Sequence, residues 1–191
     1  MTRRAATPGG TRPVPDDRTL ATLAAAGDRA AFESIYRAHA DRTFALLTRL
    51  VGPDREREDL LQETFVRLHG ALPRYRGDAS LITFIYQITT HVALDHLRRR
   101  RPLDELDLDG ELDPSATPAD QAQRREELAR ALAMLEKLSP KHRVAFVLRE
   151  VLGYSHEEVA VLVGSFAATA RMRVNAAKRK LAALAAREEQ R

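Results

Sequence analysis

The chain has no cysteine and no tryptophan. The first absence excludes disulfides and thiolate metal sites and leaves nothing that points to an oxidising compartment. Aromatic residues make up only 5% of the sequence although apolar residues make up 44%. Alanine, leucine and arginine dominate, a bias that favours helix over strand and predicts an all-α fold. No apolar run approaches the roughly 20 residues that a membrane span needs, so no insertion into a membrane is expected. The opening "MTRRAATPGGTRPVPDD" is basic without an apolar stretch behind it and does not read as a secretory signal, which makes the cytoplasm the expected location. The six histidines are dispersed without metal-ligand spacing, and no phosphate-cradling glycine loop or nucleophile motif is found. Neither catalysis, nor a cofactor, nor a metal is expected.

What the chain does have is charge arranged in blocks. Over 191 residues the net charge is +4 and the pI near 9.7, a modest sign of a polyanionic partner. Arg98 to Arg101 are four consecutive arginines, and "PLDELDLDGELDPSATPAD" follows with seven acidic residues and no basic one. From Arg171 the sequence turns basic again. The segregation suggests two cationic surfaces joined by an anionic tether; it is equally what keeps a linker soluble and extended, whatever the function.

Hydrophobic periodicity divides the chain into a disordered tail over 1–18, a first helical domain over 19–101, a flexible acidic linker over 102–120 and a second helical domain over 121–187. The first domain is expected to hold about four helices. Leu23, Phe32, Ile35, Tyr36, Phe44, Leu47 and Leu50 are apolar positions of a short helix and a longer one, broken at Gly27-Asp28 and ended by Gly52-Pro53. In "DLLQETFVRLHGAL", Leu61, Phe65, Leu68 and Leu72 form a core stripe, opposite a polar side of Asp59, Gln62, Glu63 and Arg67. After the loop "PRYRGDAS", a helix resumes at Leu81 and runs into the arginines. In the second domain Leu128, Ala131, Leu132 and Leu135 share one side of a helix, and Ser139-Pro140 starts the next, whose stripe is Val144, Val147, Leu148 and Val151. Ser155 and Glu158 have capping-box spacing ahead of a short helix that stops at Gly164. Ala170, Val174, Ala177, Leu181 and Leu184 are the buried side of the last helix.

A short capped helix, a tight turn and a second helix with a basic outer face form a helix-turn-helix pattern. Arg171, Asn175 and Lys178 fall at i, i+4 and i+7, away from the buried side, and Arg173, Arg179 and Lys180 flank them. Arginine can bond guanine edges, asparagine adenine, and lysine phosphate, which suits major-groove entry. The helix of the first domain carries Phe84, Tyr86, Gln87, Thr90, His91 and Asp95 before the arginine run, side chains suited to stacking bases and tracking a single strand. Basic surface helices are also common in bundles that bind no DNA, and Phe84 is equally a core residue by type.

Two stretches together resemble the bacterial RNA polymerase sigma factors of the extracytoplasmic-function (ECF) type. They are Arg57 to Arg101, with Glu58-Asp59-Leu60-Leu61-Gln62-Glu63 similar to the family's acidic-Leu-Gln element, and "LEKLSPKHRVAFVLREVLGYSHEEVAVLVG" followed by "ATARMRVNAAKRKL". The resemblance covers about residues 25 to 185 and includes the order of the two domains. It implies that Asp59, Gln62 and Glu63 dock on core polymerase. It implies that Tyr75, Arg76, Asp78 and Ser80 in the loop, with Phe84, Tyr86, Gln87, His91 and Arg98 on the following helix, recognise and open the promoter's −10 element. It assigns the −35 element to Ser155, Thr169, Arg171, Met172, Arg173, Asn175 and Lys178, threads the acidic linker toward the polymerase channels, and adds an anti-sigma protein to core polymerase and promoter DNA as a partner. The chain departs from the family pattern at Phe84-Ile85, where Trp-Leu is usual, at His91, where asparagine is usual, and at Ala168, Met172 and Ala176. Two other readings fit the same residues. A stand-alone helix-turn-helix regulator would bind duplex DNA without polymerase, and a helical adaptor with basic patches for solubility would bind none.

Overall fold

A computed structural model describes residues 16–53, 55–99 and 118–189. The expected disordered tail, up to residue 15, and the acidic linker, up to residue 117, lie outside the described residues, as do Arg100 and Arg101 of the arginine run. The described residues are all helix, turn and bend, without a strand. The first four helices are α1 (Asp17–Ala25), α2 (Arg29–Val51), α3 (Arg57–Ala71) and α4 (Leu81–Arg99), with a 3₁₀ turn over Leu72–Arg74. Then come α5 (Pro118–Glu136), α6 (Pro140–Phe146) prolonged by a π-helical turn over Val147–Val151, α7 (His156–Leu162) and α8 (Ala167–Glu189).

Local chemistry sets the boundaries. Asp16 accepts the Thr19 amide at 2.8 Å and Asp28 accepts those of Ala30 and Ala31, so carboxylates satisfy the orphan donors that open α1 and α2. Gly52 ends α2 at φ +83°, and a Cβ there would run into the Glu136 side chain. The left-handed conformation is what calls for glycine, since the carboxylate at the end of the Glu136 side chain can move aside.

Helices α1 to α4 enclose a core around Ile35, Phe65, Leu68, Leu81 and Ile85. The buried side of α3 differs from the expected stripe: Leu60 and Thr64 are inside with Phe65, Leu68 and Leu72, while Leu61 is half-buried. Thr64 tolerates burial because its hydroxyl donates to the Leu60 carbonyl at 2.8 Å, so no polar group is left unpaired. Leu23 and Tyr36, expected on the apolar side, are 41% and 38% exposed. Tyr36 lays its ring on Phe65, centroids 4.7 Å apart, and leaves its outer edge in water.

The second core does not stop at the domain boundary. Leu46, Leu47, Leu50, Val51, Tyr86 and Leu94 of the first half form one cluster with Leu135, Leu138, Val144, Leu148, Val159 and Val174 of the second. Buried Arg143 fixes the junction: its Nη1 donates to the Leu50 carbonyl at 2.9 Å and its Nη2 to the Glu136 carbonyl at 3.0 Å. The two acceptors lie near the C-terminal ends of α2 and α5, where helices leave carbonyls without intrahelical partners. Among the described side chains of α5, Leu132 and Leu135 are buried while Leu128 and Ala131 face water. Val151, expected in the core, is 47% exposed. The wide turn over Val147–Val151 breaks the 3.6-residue period on which that expectation rested.

Candidate nucleic-acid interface

Three polar surfaces remain once the cores are accounted for. On the outer side of α3, Asp59 and Gln62 are exposed. Glu63 instead accepts from Arg67 Nη2 at 2.6 Å, Arg67 Nη1 reaches Asp95 at 3.4 Å, and Asp95 accepts from Arg98 at 3.1 Å. Alternating charges thus tie α3 to the end of α4. Glu63 and Arg98, both singled out as contact residues, belong to this chain of ion pairs, whereas Asp59 and Gln62 stand clear on the preceding turn.

The second surface is the loop over 75–80 and the first turns of α4. The Tyr75 hydroxyl donates to the Ala79 carbonyl at 2.7 Å, closing the loop over Gly77, whose φ is +78°. Its ring lies against Phe84 with centroids 5.2 Å apart at 33°, an aromatic platform beside the loop. Burial raises the Tyr75 phenol pKa, and the Asp17 carboxylate adds to the shift. The Ser80 and Thr83 hydroxyls hydrogen-bond to each other at 2.8 Å, and Ser80 Oγ accepts the Thr83 amide at 3.3 Å, which caps the start of α4. Arg76 and Asp78 are exposed in the loop, Gln87 is half-buried, and His91 is exposed two turns on. Tyr86 breaks the pattern. It is only 8% exposed and belongs to the shared core rather than to an open face. Burial raises its phenol pKa, and the neighbouring Tyr154 phenol of the second half adds to the shift.

That second half covers this surface. Thr83 Oγ1 and the Tyr154 hydroxyl are 3.3 Å apart, and a cleft of about 770 Å³ runs between the loop, Thr83, Phe84 and Gln87 on one wall and Glu157, Glu158, Val161 and Leu162 of α7 on the other. The Glu157 carboxyl is held below its ordinary pKa, chiefly by its own backbone N–H, with smaller help from the Ser155 hydroxyl and from the charges of His156 and Arg171. An anionic helix end therefore faces the arginines and aromatics of the loop.

The third surface is the helix-turn-helix. Ser155 accepts the Glu158 amide at 3.1 Å and Glu158 accepts the Ser155 amide at 2.7 Å, the reciprocal capping box that the spacing predicts. The Ser155 oxygen is thus engaged at the head of α7. Gly164 at φ +62° makes the turn, and α8 buries Ala170, Val174 and Ala177 against the core. Arg171, Met172, Asn175 and Lys178 are brought together on the exposed side, with Thr169 and Arg173 half-buried at its edge. Lys178 Nζ pairs with Glu150 at 2.8 Å. Several residues here carry no periodic signal: Arg143 and Tyr154 at the junction, Glu157 and Glu158 in the cleft, and Phe166, 83% exposed immediately before α8. The only trace of Phe166 in the sequence is an aromatic residue inside the turn "GSFA". Among the described residues there is no group of side chains that could hold a metal ion, and no helix long and apolar enough to cross a membrane.

Comparison with known proteins identifies the family of the chain. Residues 35–102 match the family model "Sigma-70 region 2" and residues 128–181 match "Sigma-70, region 4". The chain is 34% identical over 176 residues to the ECF RNA polymerase sigma factor SigE of Mycolicibacterium smegmatis, covering 87% of this chain and 68% of that one. It is 34% identical over 158 residues to the RNA polymerase sigma factor CarQ of Myxococcus xanthus, covering 81% and 89%. Among solved structures, CnrH in complex with the cytosolic domain of CnrY aligns at a TM-score of 0.64 and 28% identity, over 88% of this chain and 96% of that one. The sigma factor RpoE in complex with the anti-sigma factor NepR from Bartonella quintana shares the fold at a TM-score of 0.55 and 17% identity, over 78% and 93%. Sigma factors are generally regulatory subunits rather than catalysts. With both sigma-70 regions matched in order on an all-helical frame, the chain belongs to the extracytoplasmic-function group of the sigma-70 family and is a promoter-specificity subunit that binds core RNA polymerase and promoter DNA to direct transcription initiation.

Proposed function

We propose a division of labour among the three surfaces. The exposed α3 side, through Asp59 and Gln62 with Glu63 beside them, docks on core polymerase. The loop with Tyr75, Arg76, Asp78 and Ser80, and the α4 positions Phe84, Gln87, His91 and Arg98, receive the opened −10 strand, since bases can be stacked and read only once they leave the duplex. Helix α8 enters the major groove of the −35 element with Thr169, Arg171, Met172, Arg173, Asn175 and Lys178, and Ser155 at the head of α7 lies toward the backbone. The protein works in the cytoplasm without catalytic activity of its own, and an anti-sigma protein is the regulator its likeness to sigma factors suggests. The acidic stretch from residue 102 up to the start of α5 at Pro118, just short of the expected end at 120, serves as the tether.

One observation supports the reading: the Tyr75–Phe84 platform and the exposed polar side of α8 lie on the two sigma-matched units of one chain. Distance shapes the mechanism. The −10 and −35 elements are about 25 base pairs apart, or about 85 Å of duplex at 3.4 Å per step. A compact chain of this length has a radius of gyration of only about 16 Å. The two halves therefore part before both surfaces engage, exposing Tyr86 and freeing the loop from Glu157 and Glu158. Run-off transcription with purified core polymerase and genomic promoter fragments tests the function, and discrete new transcripts are expected. Asp59→Lys combined with Gln62→Ala should weaken binding to core polymerase at least tenfold while the melting temperature holds. Unchanged affinity would remove the docking surface.

A further inference from the structure

Ala168, Met172 and Ala176 recur at i, i+4 and i+8 and so lie in a line along α8. Met172, 63% exposed, is at its centre, opposite the side buried through Ala170, Val174 and Ala177. The line runs between two polar edges, with Arg171, Asn175 and Lys178 on one side and Thr169, Arg173 and Lys180 on the other, and ends at Arg179, which shares its face two turns beyond Met172. Phe166, 83% exposed, stands at the end of the helix that leads into the groove. Resting on the reading that α8 enters the −35 major groove, we propose that Met172, with Ala168 ahead of it, is a specificity-determining contact to thymine C5-methyl groups, so that the favoured element carries A·T pairs with exposed methyls under the middle of the helix.

The argument is chemical. Alanine has no side-chain hydrogen-bonding group, and a thioether is only a weak acceptor, so the centre of this face cannot satisfy the donors and acceptors on a guanine, cytosine or adenine edge. Pressing it against those edges leaves base polar atoms desolvated and unpaired, which is unfavourable. The apolar feature of the major groove is the thymine methyl, and small apolar side chains are its natural contacts. The flexible, polarisable methionine can follow a methyl at more than one height in the groove. Arg171 and Asn175 beside the line remain able to bond guanine and adenine edges, while the lysines meet phosphates, contacts that position the helix without carrying sequence information.

The test uses the full chain assembled with core polymerase. Promoters recovered by run-off transcription are aligned, and each thymine in the −35 segment is replaced singly by deoxyuridine, which keeps the base pair and removes only the methyl. One or two positions should lose about fourfold in holoenzyme binding, the factor expected from one buried methyl group. Met172→Ser should abolish that loss at the same positions, with the remaining bases discriminated as before. Promoters that direct transcription but whose −35 segments tolerate deoxyuridine everywhere would overturn this proposal and leave the sigma function standing. A methyl effect that persists in full in Met172→Ser would overturn the assignment to Met172. Failure to assemble or transcribe at all would overturn both.

Discussion

The surface that would hold an opened strand and the helix that would read duplex DNA are built from similar residues, yet they differ in access. In the first, Thr83 lies against Tyr154, Gln87 faces the carboxylates of α7 across the cleft, and Tyr86 is buried. In the second, Arg171, Met172 and Asn175 meet only water on their outer side. The asymmetry follows from size. The second half is too small to bury its apolar residues alone and borrows Leu47, Leu50, Val51 and Tyr86 from the first to complete its core. Borrowing that side of α2 and α4 also covers the start of α4. Covering of the loop and the start of α4 is thus a by-product of how the second half is stabilised, and α8 stays open because its buried side is the one that packs.

Breaking the junction should have the largest effect. Arg143→Ala removes two charge-assisted bonds and strands the carbonyls of Leu50 and Glu136, at a cost of about 3 kcal/mol. The melting temperature should fall and small-angle scattering should show a larger radius of gyration, with core-polymerase binding retained because Asp59 and Gln62 lie elsewhere. Arg143→Lys keeps the charge but loses the fork and should fall between. An Arg143→Ala protein as compact and as stable as the parent would show that the halves are held without Arg143, by their apolar contacts and the Thr83–Tyr154 pair.

Why such a residue escapes sequence reading is physical. Helix existence was legible because apolar periodicity and caps are local: the Ser155 and Glu158 box, the Ser139-Pro140 start and the Gly164 turn all stand where the spacing puts them. The surroundings of a residue were less so. Leu61 and Leu60 differ by one position in a periodic string, and only packing decides which goes in. Tyr86 has the type of a base-stacking residue and the place of a core residue, because it packs into the cluster shared with the second half, beside Tyr154. Arg143 sits in "SPKHRVAF" like any surface arginine, and its acceptor at Leu50 is 93 positions away. Long-range burial leaves no periodic trace.

A milder change sharpens the comparison at the cleft itself. Tyr154→Phe keeps the ring and the carbonyl that Arg149 holds at 2.9 Å, and removes only the hydroxyl facing Thr83. A loss of about 1 kcal/mol is expected. It should appear locally, as roughly fivefold faster amide exchange in the first turns of α4, and single-stranded DNA binding by the free chain should rise by a similar factor. Unchanged exchange there would mean that the hydroxyl pair does not help to keep the cover closed.

The smallest effect on stability is expected on the open side. Lys178 and Glu150 form an exposed pair, with side chains 52% and 30% accessible, and such pairs contribute about 0–1 kcal/mol. Lys178→Ala should therefore leave the melting temperature nearly unchanged. If Lys178 leaves Glu150 for a phosphate when α8 docks, binding of the holoenzyme to −35 duplex should weaken alike for every sequence, and the slope of log affinity against log salt should fall by about 0.9, the value for one phosphate contact on B-DNA. Glu150→Gln separates the roles. It removes the competing carboxylate without touching the lysine, so affinity should rise slightly with the slope intact. A slope that does not change in Lys178→Ala, together with a lower melting temperature in both variants, would make the pair a strut between the π-helical turn and α8 and remove Lys178 from the DNA contacts.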